Sequence, residues 1–90
     1  MLFMVIENFK NGDAKSVYQR FQEKGRMMPE GLIYKESWID AGFNRCFQLM
    51  ECDDVSLLQE WIFRWQDLME FEIIPVVESK KTVETVKQFL

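Results

Sequence analysis

The chain has 90 residues, of which 48% are hydrophobic and 14% aromatic, and its formal net charge is −4. This length fits one small domain, whose core is marginal unless further apolar area is covered. The acidic balance and the lack of a basic cluster argue against nucleic acid binding, and no apolar run approaches the ~20 residues of a membrane span.

The first half of the chain predicts a strand, a helix and a hairpin. Residues 2–9, "LFMVIENF", are apolar at both parities except for Glu7 and Asn8, which is typical of a strand. Asp13 is a plausible N-cap for a helix that ends at "PEG", residues 29–31. Strands over residues 32–39 and 45–52 flank a hairpin loop. The first helix has one apolar face, formed by Ala14, Val17, Tyr18, Phe21, Gly25 and Met28.

The second half predicts a helix, a strand and a helical tail. Asp53 or Asp54 caps the second helix, and residues 71–78 form the last strand. Ser79 begins a tail helix whose Thr and Val content gives weak intrinsic helicity, so we expect docking to hold it. The tail would use Val83, Val86 and Leu90. The apolar face of the second helix comprises Val55, Leu58, Trp61, Ile62, Trp65, Leu68 and Met69.

The order β-α-β-β-α-β predicts an α+β, ferredoxin-like domain over residues 1–79, with a tail helix over residues 80–90. This fold has a four-stranded antiparallel sheet with both helices on one face. The first and third strands are central, and the second and fourth are edges. Pro75 in the last strand agrees, because proline cannot donate to a ladder and is confined to edges or bulges.

The sheet face without helices is also apolar. In the first strand Phe3 and Val5 point to one face, while Leu2, Met4 and Ile6 point to the other. An exposed face of a monomer would instead alternate apolar and polar residues. We therefore expect an obligate homodimer in which two sheets pack face to face as a dimeric α/β barrel.

Four blocks of the sequence resemble a known family: "MLFMVIENFK", "VYQRFQEKGRMMPEGLIYKESWID", "RCFQLMECDD" and "EWIFRWQDLMEFEIIPVV". The family is small and bacterial, is described as a domain of unknown function, and is placed in the dimeric α/β-barrel superfamily. The resemblance covers residues 1–79 and leaves the tail outside. It implies the fold and the dimer described above, and no activity.

The wider superfamily includes antibiotic-biosynthesis-type monooxygenases, haem-degrading enzymes, muconolactone isomerases, chlorite dismutases and stress-responsive barrel proteins, which suggests reactions to test on the residues. Glu7-Asn8 is similar to the asparagine-bearing strand of the haem-degrading enzymes, and Trp61 or Trp65 to their helix tryptophan. The chain has no histidine, however, and histidine is the expected haem ligand there. We expect no cofactor and no metal.

An enclosed apolar pocket with a few polar groups is all that a cofactor-free oxygenase or isomerase requires. Amide, phenol and indole groups for such a pocket, between the sheet and the helices, come from Asn8, Tyr34, Trp38, Gln48, Trp61 and Trp65. The tryptophans also fit a plain core role. A buried Gln48 needs hydrogen-bond partners, so it is either a structural staple or a ligand contact.

The remaining reactive side chains have simpler interpretations. Glu7 and Glu51 lie near strand ends, which favours solvated charges; a buried one would have a raised pKa and could act as acid or base. Cys46 and Cys52 would lie roughly 20 Å apart on one strand, too far for a disulfide or a shared metal. Ordinary reduced cysteines, and an N-terminus without signal-peptide features, predict a cytoplasmic protein.

The sequence thus predicts a small cytoplasmic homodimer that binds a small apolar or aromatic molecule between sheet and helices, with cofactor-free oxygenase or isomerase activity as the candidate chemistry. The alternative is a non-catalytic structural or regulatory module. Such a module would present the tail helix or the Phe63 surface to another protein.

Overall fold

The computed structural model describes residues 1–90 and shows one four-stranded sheet with three helices. In chain order the elements are β1 (Leu2–Phe9), α1 (Ala14–Lys24), β2 (Ile33–Ile39), β3 (Arg45–Glu51), α2 (Ser56–Phe63), β4 (Met69–Val76) and α3 (Ser79–Lys87), with a short 3-10 turn at Lys10–Gly12. This is the predicted α+β, ferredoxin-like arrangement. None of the helices has the length and apolar character needed to cross a bilayer.

All neighbouring strands are antiparallel, in the order β2-β3-β1-β4. The prediction that β1 and β3 are central and β2 and β4 are edges is confirmed. Pro75 lies on the edge strand β4 opposite Phe3, where a missing N–H removes no bond from the centre of the sheet.

Helix α1 begins as predicted but ends earlier. The Asp13 carboxylate accepts the backbone N–H of Ser16 at 3.1 Å, which satisfies one of the free donors of the first turn. Gly25 ends the helix with a φ of 67°, and Met27 also has a positive φ. The extension of the helical face to Gly25 and Met28 was therefore wrong, because left-handed backbone ends an α-helix.

Helix α2 is also shorter than predicted. It ends at Phe63, and a series of turns leads to Met69, which begins β4 opposite Phe9. Leu68 and Met69 continue the apolar period of the helix but do not belong to it, and the last strand starts two residues early. At the other end Asp54, rather than Asp53, accepts the Ser56 backbone N–H at 2.9 Å.

The core lies between the sheet and the two helices α1 and α2. Positions of β1 alternate between buried and partly exposed, with the buried parity facing the helices. Packed there are Phe3 and Val5 from β1, Met50 from β3, Val17 from α1, and Leu58, Trp61 and Trp65 from α2 and the turn after it. One layer of apolar side chains thus holds the domain together.

The sheet surface away from these helices, called the open face below, has an apolar centre. The strand register places side chains in rows across it. Two middle rows carry Trp38, Phe47, Ile6 and Glu72, and then Glu36, Leu49, Met4 and Ile74. Ile33 and Trp38 are each 50% exposed, so their own chain covers them poorly.

The tail helix α3 is not buried by its own chain. Every residue from 77 to 90 is exposed, and the radius of gyration is 15.0 Å, against about 12 Å for a compact chain of this length. The expected docking surface is therefore absent from the monomer.

Candidate functional site

A cavity of about 200 Å³ lies between the helix-facing side of the sheet and the α1–α2 layer. Its walls are mostly apolar and aromatic, and its rim includes the partly exposed rings of Tyr18 and Phe21 from α1. The polar groups that reach it are few: Glu7, Arg26, Ser37 and Gln48. Apolar walls with a few convergent polar groups are typical of small-molecule sites.

Of the six predicted ligand-binding residues, Gln48, Trp61 and Trp65 line this cavity together. Trp38 borders it from the edge strand β2, although its register position opposite Phe47 belongs to the open face. Any ligand-binding role of these residues remains a prediction.

The other two predicted residues do not reach the cavity. Asn8 lies on the open face, because the adjacent Glu7 occupies the parity that points to the helices. Tyr34 points to the helix side but lies outside the lining; its hydroxyl is 2.7 Å from the Ser37 hydroxyl oxygen. The orientation of β1 therefore directs the Glu7 carboxyl, and not the Asn8 amide, towards the cavity.

The two tryptophans are both walls and structural anchors. The indole N–H groups of Trp61 and Trp65 each donate to the backbone carbonyl of Arg26 at 2.8 Å. Arg64 donates to the next carbonyl, that of Met27, at 2.6 Å. These three bonds hold the loop between α1 and β2 against the end of α2, so the core and site interpretations of the tryptophans are compatible.

A hydrogen-bonded chain of three side chains crosses the polar side of the cavity. The Gln48 amide nitrogen donates to Glu7 Oε1 at 2.7 Å, and Arg26 Nε donates to Gln48 Oε1 at 3.2 Å. Glu7 and Arg26 form no direct salt bridge, because the amide lies between them. Gln48 therefore has a structural role, because it links Glu7 to Arg26, and it also lines the cavity.

Arg26 itself was missed by the sequence analysis. Its guanidinium lies 3.7 Å over the Tyr34 ring and 5.1 Å from the centre of the Phe21 ring. A lone arginine in a loop carries no periodic signal, and its neighbours come from distant segments. Only the fold brings it to the cavity.

Glu7 is 3% exposed, so the expectation of a solvated charge was wrong. Burial raises the pKa of the Glu7 carboxyl, and the Gln48 and Cys46 hydrogen bonds and the Arg26 charge offset this only in part. Glu7 shares the buried parity of Phe3, Val5 and Phe9. Because the opposite parity of β1 is also apolar, the sequence pattern alone did not reveal this burial. Glu51, by contrast, is partly exposed at the strand end.

Neither cysteine forms a disulfide. Cys46 pairs with Glu7 across the strands, and burial with the nearby carboxyl raises the pKa of its thiol to about 12. A thiol that stays protonated is a poor nucleophile. No three of the chain's Cys, Asp and Glu side chains come together in a cluster able to hold a metal ion.

A comparison with protein families matches residues 1–90 to a family described as a domain of unknown function, DUF3303. The chain belongs to this family. The DUF3303 match runs through α3, so the family extends beyond residues 1–79, to which the sequence resemblance was limited. A search of curated proteins finds no match.

The raised pKa of Glu7 predicts a specific pH dependence. The stability that the protonated carboxyl provides is fully present below the pKa of the unfolded chain and is lost as pH rises through the folded pKa. Glu7→Gln stays neutral and keeps an acceptor for Gln48. We expect the variant to melt above the wild type at pH 8, with the difference in Tm disappearing towards pH 4.

Circular dichroism melts from pH 4 to pH 8 measure this difference, and each kcal/mol corresponds to about 4–8 °C in a domain of this size. Glu70→Gln, on an exposed residue of β4, is the matched control and should follow the wild-type curve. A Glu7→Gln difference that stays constant over the whole pH range would contradict a raised carboxyl pKa.

Proposed function

We propose that this chain binds a small molecule with one aromatic ring, or an apolar body of similar size, in the helix–sheet cavity. The observation that carries the proposal is the combination of apolar walls, a volume of about 200 Å³ and the Glu7–Gln48–Arg26 chain on one side. An apolar cavity of about 150 Å³ is known to accept benzene. The present cavity has room for a ring with one substituent.

The proposal extends to chemistry that needs no cofactor. A raised pKa makes the Glu7 carboxylate a stronger base, suited to take a proton from one carbon of the bound molecule, and the carboxyl so formed can return that proton to another carbon. That exchange isomerises the molecule, consumes no other reactant and leaves Glu7 unchanged. A cofactor-free oxygenase requires dioxygen in addition, so the residues favour the isomerase.

Ligand binding can be tested by filling the cavity. Cys46→Phe places a ring in the space proposed for the ligand, whereas Cys46→Ala enlarges that space. With toluene, phenol and benzoate as probes in calorimetric titrations, we expect Cys46→Phe to weaken binding by at least about tenfold, because a ring excluded from an apolar site forfeits more than about 1.4 kcal/mol.

Cys46→Ala should still bind the same probes. The proposal fails if none of these one-ring probes binds the wild type, or if Cys46→Phe binds them as well as the wild type does. Circular dichroism melts of both variants show whether the fold is intact.

We also propose a cytoplasmic homodimer formed by two open faces. Its support is the apolar centre of that face, including Met4 and Leu49 on the two central strands. Apolar patches larger than those a monomer normally exposes are typical of protein–protein interfaces. Packing two open faces against each other would cover the apolar patch of each chain. The two free cysteines suit a reducing compartment.

Light scattering at micromolar concentration should give about twice the 10.9 kDa of the chain. Leu49→Lys, at the centre of the open face, should shift the mass to that of a monomer, because an unpaired charge in an apolar interface is costly. Gln22→Lys, on the exposed side of α1, adds the same charge and should leave the dimer intact. A monomeric wild type would refute the dimer.

A second candidate function is a non-catalytic interaction module, and the exposed helix α3 favours it. Val83, Val86 and Phe89 are 54%, 44% and 82% exposed, and Phe63 on α2 is 75% exposed. We expect a chain ending at residue 79 to keep its dimer and its cavity ligand. If that shorter chain loses capture of a partner protein while it keeps the dimer and the ligand, the module is supported; unchanged capture with the ligand retained counts against the module and leaves the cavity function standing.

A further inference from the structure

The guanidinium of Arg26, which lines the cavity, leaves most of its hydrogen-bond donors without a partner in the protein. Its Nε donates to Gln48, but its two terminal nitrogens donate to no group of the protein, and it takes part in no salt bridge. The two other arginines next to the α1–α2 layer differ. Arg20 donates two hydrogen bonds, of 2.7 and 2.6 Å, to the Asp67 carboxylate. Arg64 donates hydrogen bonds to the Glu60 carboxylate and to the Met27 carbonyl.

Arg26 is also held in position. The Trp61 and Trp65 indoles fix its backbone carbonyl, the Tyr34 ring supports the guanidinium plane at 3.7 Å, and Gln48 fixes Nε. A guanidinium anchored in this way loses little further conformational entropy when it binds a ligand. The edge that remains free carries the two terminal nitrogens, which is the edge that fits a carboxylate with two parallel hydrogen bonds.

From these contacts we propose that the ligand is a one-ring carboxylic acid, bound as its anion, with the carboxylate on the terminal nitrogens of Arg26 and the ring in the apolar cavity. This inference rests on the proposed ligand-binding function and names the class of ligand. The Gln48 amide keeps Glu7 apart from the guanidinium, so the protein's own buried carboxyl does not occupy the anchor.

A carboxylate suits the site better than a phosphate ester does. Arg26 is the single cationic residue in the cavity lining. A phosphate carries more charge and more acceptor oxygens, and its usual sites supply several donors. One planar fork beside an apolar ring pocket instead matches one planar carboxylate.

Matched probes test the inference in calorimetric titrations of the full chain. Benzoate and benzamide have nearly the same shape and differ in charge, while toluene lacks the polar group and phenyl phosphate carries a different anion. We expect benzoate to bind at least about tenfold more tightly than benzamide, since hydrogen bonds between two charged groups are stronger than those to a neutral amide.

Variants of the arginine identify the anchor. Arg26→Met should remove the preference for benzoate while binding of toluene changes less than about threefold; Arg26→Lys keeps the charge without the planar fork and should retain part of the preference. Arg45→Met, which removes an arginine at the exposed start of β3, should keep the full preference. The Lys variant provides the test if the Met variant does not fold.

The outcomes separate the two proposals. Equal binding of benzoate and benzamide, or tighter binding of phenyl phosphate, overturns the carboxylate inference and leaves the cavity function standing. A preference for benzoate that survives in Arg26→Met also overturns it, because another group would then hold the anion. If no probe binds, including toluene, the cavity function itself fails.

Discussion

The site depends on one backbone carbonyl, that of Arg26, which accepts the indole N–H groups of both Trp61 and Trp65. Indole nitrogens buried in an apolar layer need an acceptor, and a loop carbonyl is one of the few groups that can reach them there. The same contact draws the α1–β2 loop over the core. As a result the cavity wall and the guanidinium at its edge are positioned by one set of bonds.

The second constraint is the register of β1, which places a carboxyl inside the core. Burying Glu7 costs free energy that a hydrophobic residue would not, and the Gln48 amide and Cys46 thiol recover only part of that cost. The free energy of unfolding of a small domain is low, so this cost is a substantial fraction of it. Buried ionisable groups with perturbed pKa values beside a cavity are typical of functional sites, and this supports a role for Glu7 in ligand chemistry.

The open face of the sheet and the tail helix α3 are both poorly covered by the rest of the chain. The sheet has helices on one side and an apolar centre on the other, and α3 leaves the domain without being buried by it. A chain of this size gains much of its stability from whatever further apolar area it can cover. The proposed pairing of two open faces would provide that cover and would leave the cavity on the opposite side of the sheet accessible. In the proposed dimer, assembly and ligand binding would use different faces of the same four strands.

The sequence by itself determined the order of the elements, the edge position of Pro75, the N-cap at Asp13 and the shared face of Trp61 and Trp65, because these follow from local periodicity and backbone chemistry. It did not determine where α2 ends, because Leu68 and Met69 fit both the helical period and the following strand. Nor did it decide between Glu7 and Asn8: both faces of β1 are apolar, so only packing against the helices selects the buried parity. Arg26 needed the tertiary structure altogether, since its partners Gln48, Trp61 and Trp65 lie 22 to 39 residues away and no local pattern records such contacts.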